Sequence, residues 1–262
     1  MKKKTASVVL IVSLIVMVIA GVYLIITYYK DWRSIRYWKR IAEQRDNAGD
    51  FSEEDIIPTL QSLYHDNPDI VGWLKTEDGH IDYPIMQNKE DPEYYLRRNF
   101  DKEENSAGVP FADYRCDIVP RQNFNTIIYG HYTNGDAMFR WLLQYAYKKW
   151  YGEHKRISFD TLTEEGEYEV VAAFYLDGTD VELKEDWDSS CEDAYEVYNY
   201  ISIDSAEGFQ RFKDRLKERQ KYETDKELTM DAPIITLICC APEAFSDITE
   251  NGRFVVVAQK IE

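Results

Sequence analysis

Two adjacent cysteines, Cys239 and Cys240, close an apolar run and are the leading candidates for nucleophilic chemistry in this sequence. A thiolate attacks an acyl carbon best when a nearby cation favours the ionised sulfur and an acid/base partner manages the protons. Ile234–Cys240 reads as a β-strand, whose successive side chains point to opposite faces. Cys240 then shares a face with Thr236 and Ile238, and Cys239 with Ile235 and Leu237. One sulfur should enter the core while the other faces a cleft. Alternation alone does not say which.

A second strand-like run, Arg253 to Ile261, follows. If the two runs pair antiparallel, Arg253 lies beside Cys240 across the mouth of the loop Ala241–Gly252. A guanidinium is always cationic and offers a rigid fork of donors, so it can favour a thiolate and stabilise an oxyanion. The plainer alternative is a surface ion pair. The third candidate is His131, just beyond the apolar segment Asn125-Thr-Ile-Ile-Tyr-Gly130. Histidine titrates near neutral pH, so it can protonate a leaving amine and later take a proton from an incoming one. His65, His80 and His154 stand in polar or turn-like surroundings and read as hydrogen-bonded loop histidines. Cys116 and Cys191 read as small buried side chains, although an extracellular domain could pair them. With no Cys-x-x-Cys, His-x-x-x-His or HExxH pattern, neither a metal nor another cofactor is expected.

The elements that must position these residues are mainly strands. Ile70–Leu74 and Ile81–Met86 flank a turn containing Asp78-Gly79, a hairpin signal. Asp91-Pro92 opens a short helix through Leu96. Gly108–Phe111, Asn125–Tyr129, Arg156–Phe159 and Tyr168–Leu176 are strand-like, the last rich in Val, Phe and Tyr. Met138, Trp141, Leu142 and Tyr145 give a helical period over Asp136–Tyr147. A long insertion, about Glu185 to Glu227, is expected to be mainly helical. Within it Ser205-Ala206-Glu207 can start a helix whose apolar edge is Phe209, Phe212 and Leu216. The formal net charge of −17 repels phosphate backbones and argues against nucleic-acid binding.

The N-terminus is not globular in pattern. From Thr5 to Tyr29 no residue is charged and most are Val, Ile, Leu, Met or Ala, enough to span a bilayer as a helix. A cleaved signal peptide ending near Ala20 is the rival, but apolar residues continue through Ile26. Lys2, Lys3 and Lys4 favour a cytoplasmic N-terminus, whereas the basic residues from Lys30 to Arg45 favour the reverse. Asp31 to about Ala48 reads as an amphipathic helix carrying Ile35, Trp38 and Ala42. Its Trp32, Tyr37 and Trp38 suit either the headgroup level or packing on the domain, and Asn47–Glu54 reads as a linker.

Thr236-Leu237-Ile238-Cys239-Cys240 resembles the nucleophile motif of the sortases, Thr-Leu-x-Thr-Cys at a strand end with an Arg opening the last strand. Cys239 stands where the family has its second Thr, so the resemblance makes Cys240 the nucleophile. The segment Asn125–His131 with Met138-Phe139 is similar to the family's histidine segment, and Asn67–Leu74 with Ile81–Ile85 to its first strands. Class B sortases are the nearest match, given the helical insertion before the nucleophile strand. The resemblance implies a mostly β (α+β) fold: a closed barrel of about eight strands with an N-terminal helix and that insertion. It divides the chain into a cytoplasmic tail (1–4), a membrane anchor (5–29), a juxtamembrane helix and linker (30–54) and an extracytoplasmic catalytic domain (55–262). It assigns catalysis to His131, Cys240 and Arg253, with Tyr129, Thr236, Ile238 and Cys239 expected to line the substrate site. The implied partners are secreted proteins bearing a C-terminal sorting signal and an amine from a peptidoglycan precursor or a pilin lysine. Glu243, Asp247 and Glu250 could tune that choice. A cysteine endopeptidase and a non-catalytic binding module on the same barrel are the rival readings.

Overall fold

The computed structural model describes residues 2–46, 56–119, 121, 123–177, 200–203, 205–242 and 252–261. The linker Asn47–Glu54, Cys191 with the first part of the insertion, and Glu243, Asp247 and Glu250 lie outside the described residues.

Eight strands close into a barrel: β1 (Ile70–Thr76), β2 (Asp82–Met86), β3 (Phe111–Ala112), β4 (Asn125–Tyr129), β5 (Arg156–Thr161), β6 (Glu167–Asp177), β7 (Ile234–Cys240) and β8 (Gly252–Lys260). Their order around the barrel is β1-β2-β3-β4-β7-β8-β6-β5. Two joints, β2 with β3 and β4 with β7, are parallel, and the others are antiparallel. β7 and β8 read as near-continuous apolar runs because they are covered on both faces, and every β7 residue except Cys240 is buried. The expected β1–β2 hairpin forms, its turn held by Asp78 Oδ1, which accepts from Thr76 Oγ1 at 2.6 Å and from the His80 N–H at 2.9 Å.

Several expected elements differ. β3 shrinks to two residues because Gly108 has φ +57° and Pro110 has no N–H to donate. The helical period at Asp136–Tyr147 becomes a 3₁₀ helix, Phe139–Ala146, with buried Phe139, Leu142 and Tyr145 at the three-residue spacing of that geometry. A short α3 (Lys148–Glu153), not foreseen, follows it. The turn after Asp91-Pro92 is likewise 3₁₀, Tyr94–Arg97. In the described part of the insertion, α4 (Ala206–Arg219) starts at Ser205 and buries Phe212 and Leu216, as the pattern predicts.

The two N-terminal helices of the sequence reading are one, α1 (Lys2–Asp46), unbroken because it contains no proline and only Gly21 as a weak point. The side chain of Ile35 lies outside the described residues. Packing on the domain, not the headgroup alternative, describes the end of α1: Trp38 and Ile41 are buried, and the Tyr37 hydroxyl donates to Asp101 Oδ2 at 2.9 Å. Trp32 remains exposed. A second helix, α2 (Pro58–Asp66), completes this end by burying Leu60 and Leu63. Among the described residues no helix is long and apolar enough to cross a membrane. Side chains 5–11 lie outside the described set, and those described from Val12 to Ile26 include exposed Leu14, Ile19 and Leu24.

Candidate active site

Strand direction brings the three candidates to one rim. β4 and β7 run parallel, so their C-terminal ends emerge together, and Tyr129 is in register with Ile238. Two residues further along each chain stand His131 and Cys240. β8 runs antiparallel to β7, so its beginning reaches the same rim, and Cys240 is paired directly with Arg253. All three line a cavity of about 390 Å³ with Pro92, Glu93, Leu96, Phe111, Asp113, Tyr114, Tyr129, Gly130, Ile238 and Cys239. A larger hollow beside α4, about 610 Å³, is lined by Asp214, Lys217, Glu218, Gln220, Tyr222 and Glu223 and offers no thiol or imidazole.

The two cysteines separate by burial. Cys239 is 2% exposed and paired with Phe254 across the β7–β8 ladder, whereas Cys240 is exposed at the strand end. Burial and then the neighbouring Cys240 push the Cys239 thiol well above its ordinary value, against the opposing pull of Arg253. It stays a neutral thiol. Arg253 Nη1 donates to the Gly252 carbonyl at 3.1 Å, and the Ala241 N–H donates to the same carbonyl at 2.9 Å, which ties the two strand ends together beyond the Cys240–Arg253 pair.

His131 is held by its backbone and its ring. The Gly130 N–H donates to the Ile238 carbonyl at 3.0 Å, and the Phe139 N–H donates to the His131 carbonyl at 3.0 Å. A Cβ at position 130 would lie 2.6 Å from the Phe139 ring, so only glycine lets this turn sit on that ring. Nε2 of His131 is 2.8 Å from the Leu96 carbonyl oxygen. A carbonyl only accepts, so in the neutral ring Nε2 carries the proton and Nδ1 is the nitrogen free to take one. Gly108, at φ +57°, leaves room for the Leu96 carbonyl, since a Cβ there would fall 2.5 Å from the same oxygen.

Of the expected lining residues, Tyr129, Ile238 and Cys239 border the cavity. Thr236 does not: it is fully buried, and its hydroxyl donates to Asn125 Oδ1 at 2.9 Å. It shares a strand face with Cys240, but that face is covered everywhere except at its last residue. Asp113, outside every motif of the sequence, also stands at the cavity edge, its side chain 5% exposed. Arg115 Nε and Nη2 donate to its two oxygens at 2.9 and 2.7 Å, and the Tyr129 hydroxyl donates to Oδ2 at 2.8 Å. Burial alone would raise the Asp113 carboxyl, but the hydrogen bonds and charge of Arg115, with the Tyr129 hydroxyl, bring it below 3.8. The i, i+2 acid–base spacing of Asp113 and Arg115 was its one sequence signal.

The other histidines stand apart from the cavity. His80 stacks on Trp141 at 3.6 Å, His154 stacks on Trp150 at 4.0 Å, and His65 is exposed beside Asp66. Cys116 is buried with its Sγ 3.7 Å from the Asn125 carbonyl, and burial pushes its thiol up to about 12. Among the described residues no cluster of His, Cys, Asp or Glu is placed to hold a metal ion.

The sequence pattern of the Sortase domain family matches residues 74–261. The chain belongs to the sortase family. Sortases are cysteine transpeptidases, so this sortase is an enzyme of acyl transfer. It is 28% identical to Sortase B of Staphylococcus aureus over 99% of its own length and 98% of that protein's. To Sortase B of Listeria monocytogenes it is 32% identical over 77% of its own length and 74% of the other. Its barrel superimposes on an S. aureus sortase B–substrate complex with a TM-score of 0.72, at 26% identity over 89% of this chain and 99% of that one. Against Bacillus anthracis sortase B in complex with AAEK1 the TM-score is 0.71, at 26% identity over 90% and 99%. The fold is therefore that of class B sortases: a closed eight-stranded mixed barrel with added helices.

Proposed function

We propose that this sortase cleaves a C-terminal sorting signal of secreted proteins through a thioester on Cys240. With the Cys240 thiol proton passed to His131, the thiolate attacks the carbonyl carbon that follows a threonine in the signal, giving a tetrahedral oxyanion that Arg253 stabilises. Collapse breaks the C–N bond, and His131 protonates the departing amine. An incoming amine, from a peptidoglycan precursor or a pilin lysine, then gives its proton to His131 and displaces the Cys240 sulfur as thiolate. The observation that carries this reading is the cross-strand pairing of Cys240 with Arg253 at the rim of the cavity that His131 also lines. The choice of Cys240 over Cys239 is supported by their exposure.

The enzyme is further proposed to be anchored with its N-terminus in the cytoplasm and residues 55–262 outside. The uncharged run Thr5–Tyr29 and the exposed apolar side chains along α1 support this. The test of the chemistry is to trap a sorting-signal peptide on the enzyme and map the adduct by mass spectrometry. The adduct is expected on Cys240. Cys240→Ala should lower transfer to an amine by at least about a thousandfold while Cys239→Ala keeps most of it. An adduct on Cys239, or full transfer by Cys240→Ala, overturns the assignment. Hydrolysis without transfer, with the amine present, would instead mark an endopeptidase.

A further inference from the structure

The loop from His131 to Met138 is closed at its base by a bridge between Tyr132 and Met138. Met138 holds an unusual backbone for a residue with a side chain, φ +56° and ψ −140°, a region that glycine occupies without strain. Such a conformation persists only where its surroundings impose it. Here the Met138 side chain is fully buried, and its N–H donates to the Tyr83 hydroxyl oxygen at 2.9 Å. The next N–H along, that of Phe139, is the one that grips the His131 carbonyl. Tyr83 is itself 5% exposed and meets the Trp38 ring edge-on at 5.4 Å, so its ring is fixed by α1. Burial pushes its phenol up to about 12, so it is a neutral hydroxyl at physiological pH.

We propose that Tyr83 is a positioning residue for His131: through Met138 it holds the strained base of the histidine loop, and through Trp38 it ties that loop to the seat of α1. Without the hydroxyl, Met138 has no partner for its N–H in that conformation and relaxes towards negative φ. The Phe139 N–H moves with it, and the His131 ring loses its fixed aim at the Leu96 carbonyl. The inference rests on His131 being the acid/base of the proposed reaction, and the test separates the two.

In Tyr83→Phe, the ¹⁵N shifts of the His131 imidazole report which nitrogen carries the proton, at a pH where the ring is neutral. Wild type should show the proton on Nε2, and the variant a mixture of both tautomers. With it, kcat should fall about tenfold at unchanged KM for the sorting peptide, as expected for a misaimed acid/base group. In a Met138→Gly background, where the backbone is unstrained, the effect of Tyr83→Phe on the tautomer should largely vanish. An unchanged tautomer in Tyr83→Phe overturns the inference whatever the kinetics. So does an equal effect of the substitution in both backgrounds. A changed tautomer with full kcat upholds the positioning role and overturns the role of His131 instead.

Discussion

At the scale of single residues, the site depends on contrasts between chemically equal neighbours. Cys239 and Cys240 are both thiols, yet burial holds one neutral and the end of a strand exposes the other. Asp113 is an acidic group at the cavity edge, yet the Arg115 fork and the Tyr129 hydroxyl lock it as an anion, so it is not a proton donor near neutrality. Its folded-state carboxyl lies below the ordinary 3.8, so its contribution to stability is complete above that value. That contribution is lost as the pH falls through the lower, folded value. Asp113→Asn removes the buried carboxylate that the Arg115 fork grips and should cost about 3 kcal/mol in a denaturant titration at pH 7. The acid limb of the stability curve below pH 3.8 should flatten with it. An Asn variant that keeps that limb would assign it to other carboxylates.

At the scale of elements, the parallel β4–β7 pairing is decisive. It places the ends of two strands far apart in sequence at one rim, and the antiparallel β8 returns Arg253 to it. Elements away from that rim should be separable from chemistry. Ser205 caps α4, its Oγ accepting from the Gly208 N–H at 3.1 Å. Ser205→Ala should cost about 1 kcal/mol, seen as a lower denaturation midpoint. Because α4 packs on β6 and not at the cavity, kcat and KM should stay at wild-type values. A fall in kcat would show that α4 reaches the site.

For the whole molecule, α1 links the catalytic barrel to the proposed anchor. Trp38 and Ile41 bury one end of the helix while Leu14, Ile19 and Leu24 stay exposed at the other. On the proposed reading, a bilayer covers the apolar side chains that the barrel leaves exposed. In flotation with phospholipid vesicles, the full chain should rise with the lipid, and a chain lacking 1–29 should stay in the aqueous fraction. A full chain that remains aqueous would overturn the anchor. With intact cells, digestion of the domain by external protease supports the proposed orientation, and digestion only after lysis refutes it.

Much of this was legible in the sequence because it is encoded by near neighbours. Alternation within Ile234–Cys240, the Arg at the start of the next run, the Asp78-Gly79 turn and the Ser205 cap all depend on residues a few positions apart. Two antiparallel strands joined by one loop pair end to start, so Cys240 could be set beside Arg253 without knowing the rest of the barrel. Other features needed the closed structure. His131 becomes level with Cys240 only through a pairing of strands more than a hundred residues apart, which no local pattern encodes. The same closure buries Thr236 and Cys239, exposes Cys240, and brings Tyr83 under Met138. Burial and distant pairing are properties of the packed whole, so those choices rested with the tertiary structure.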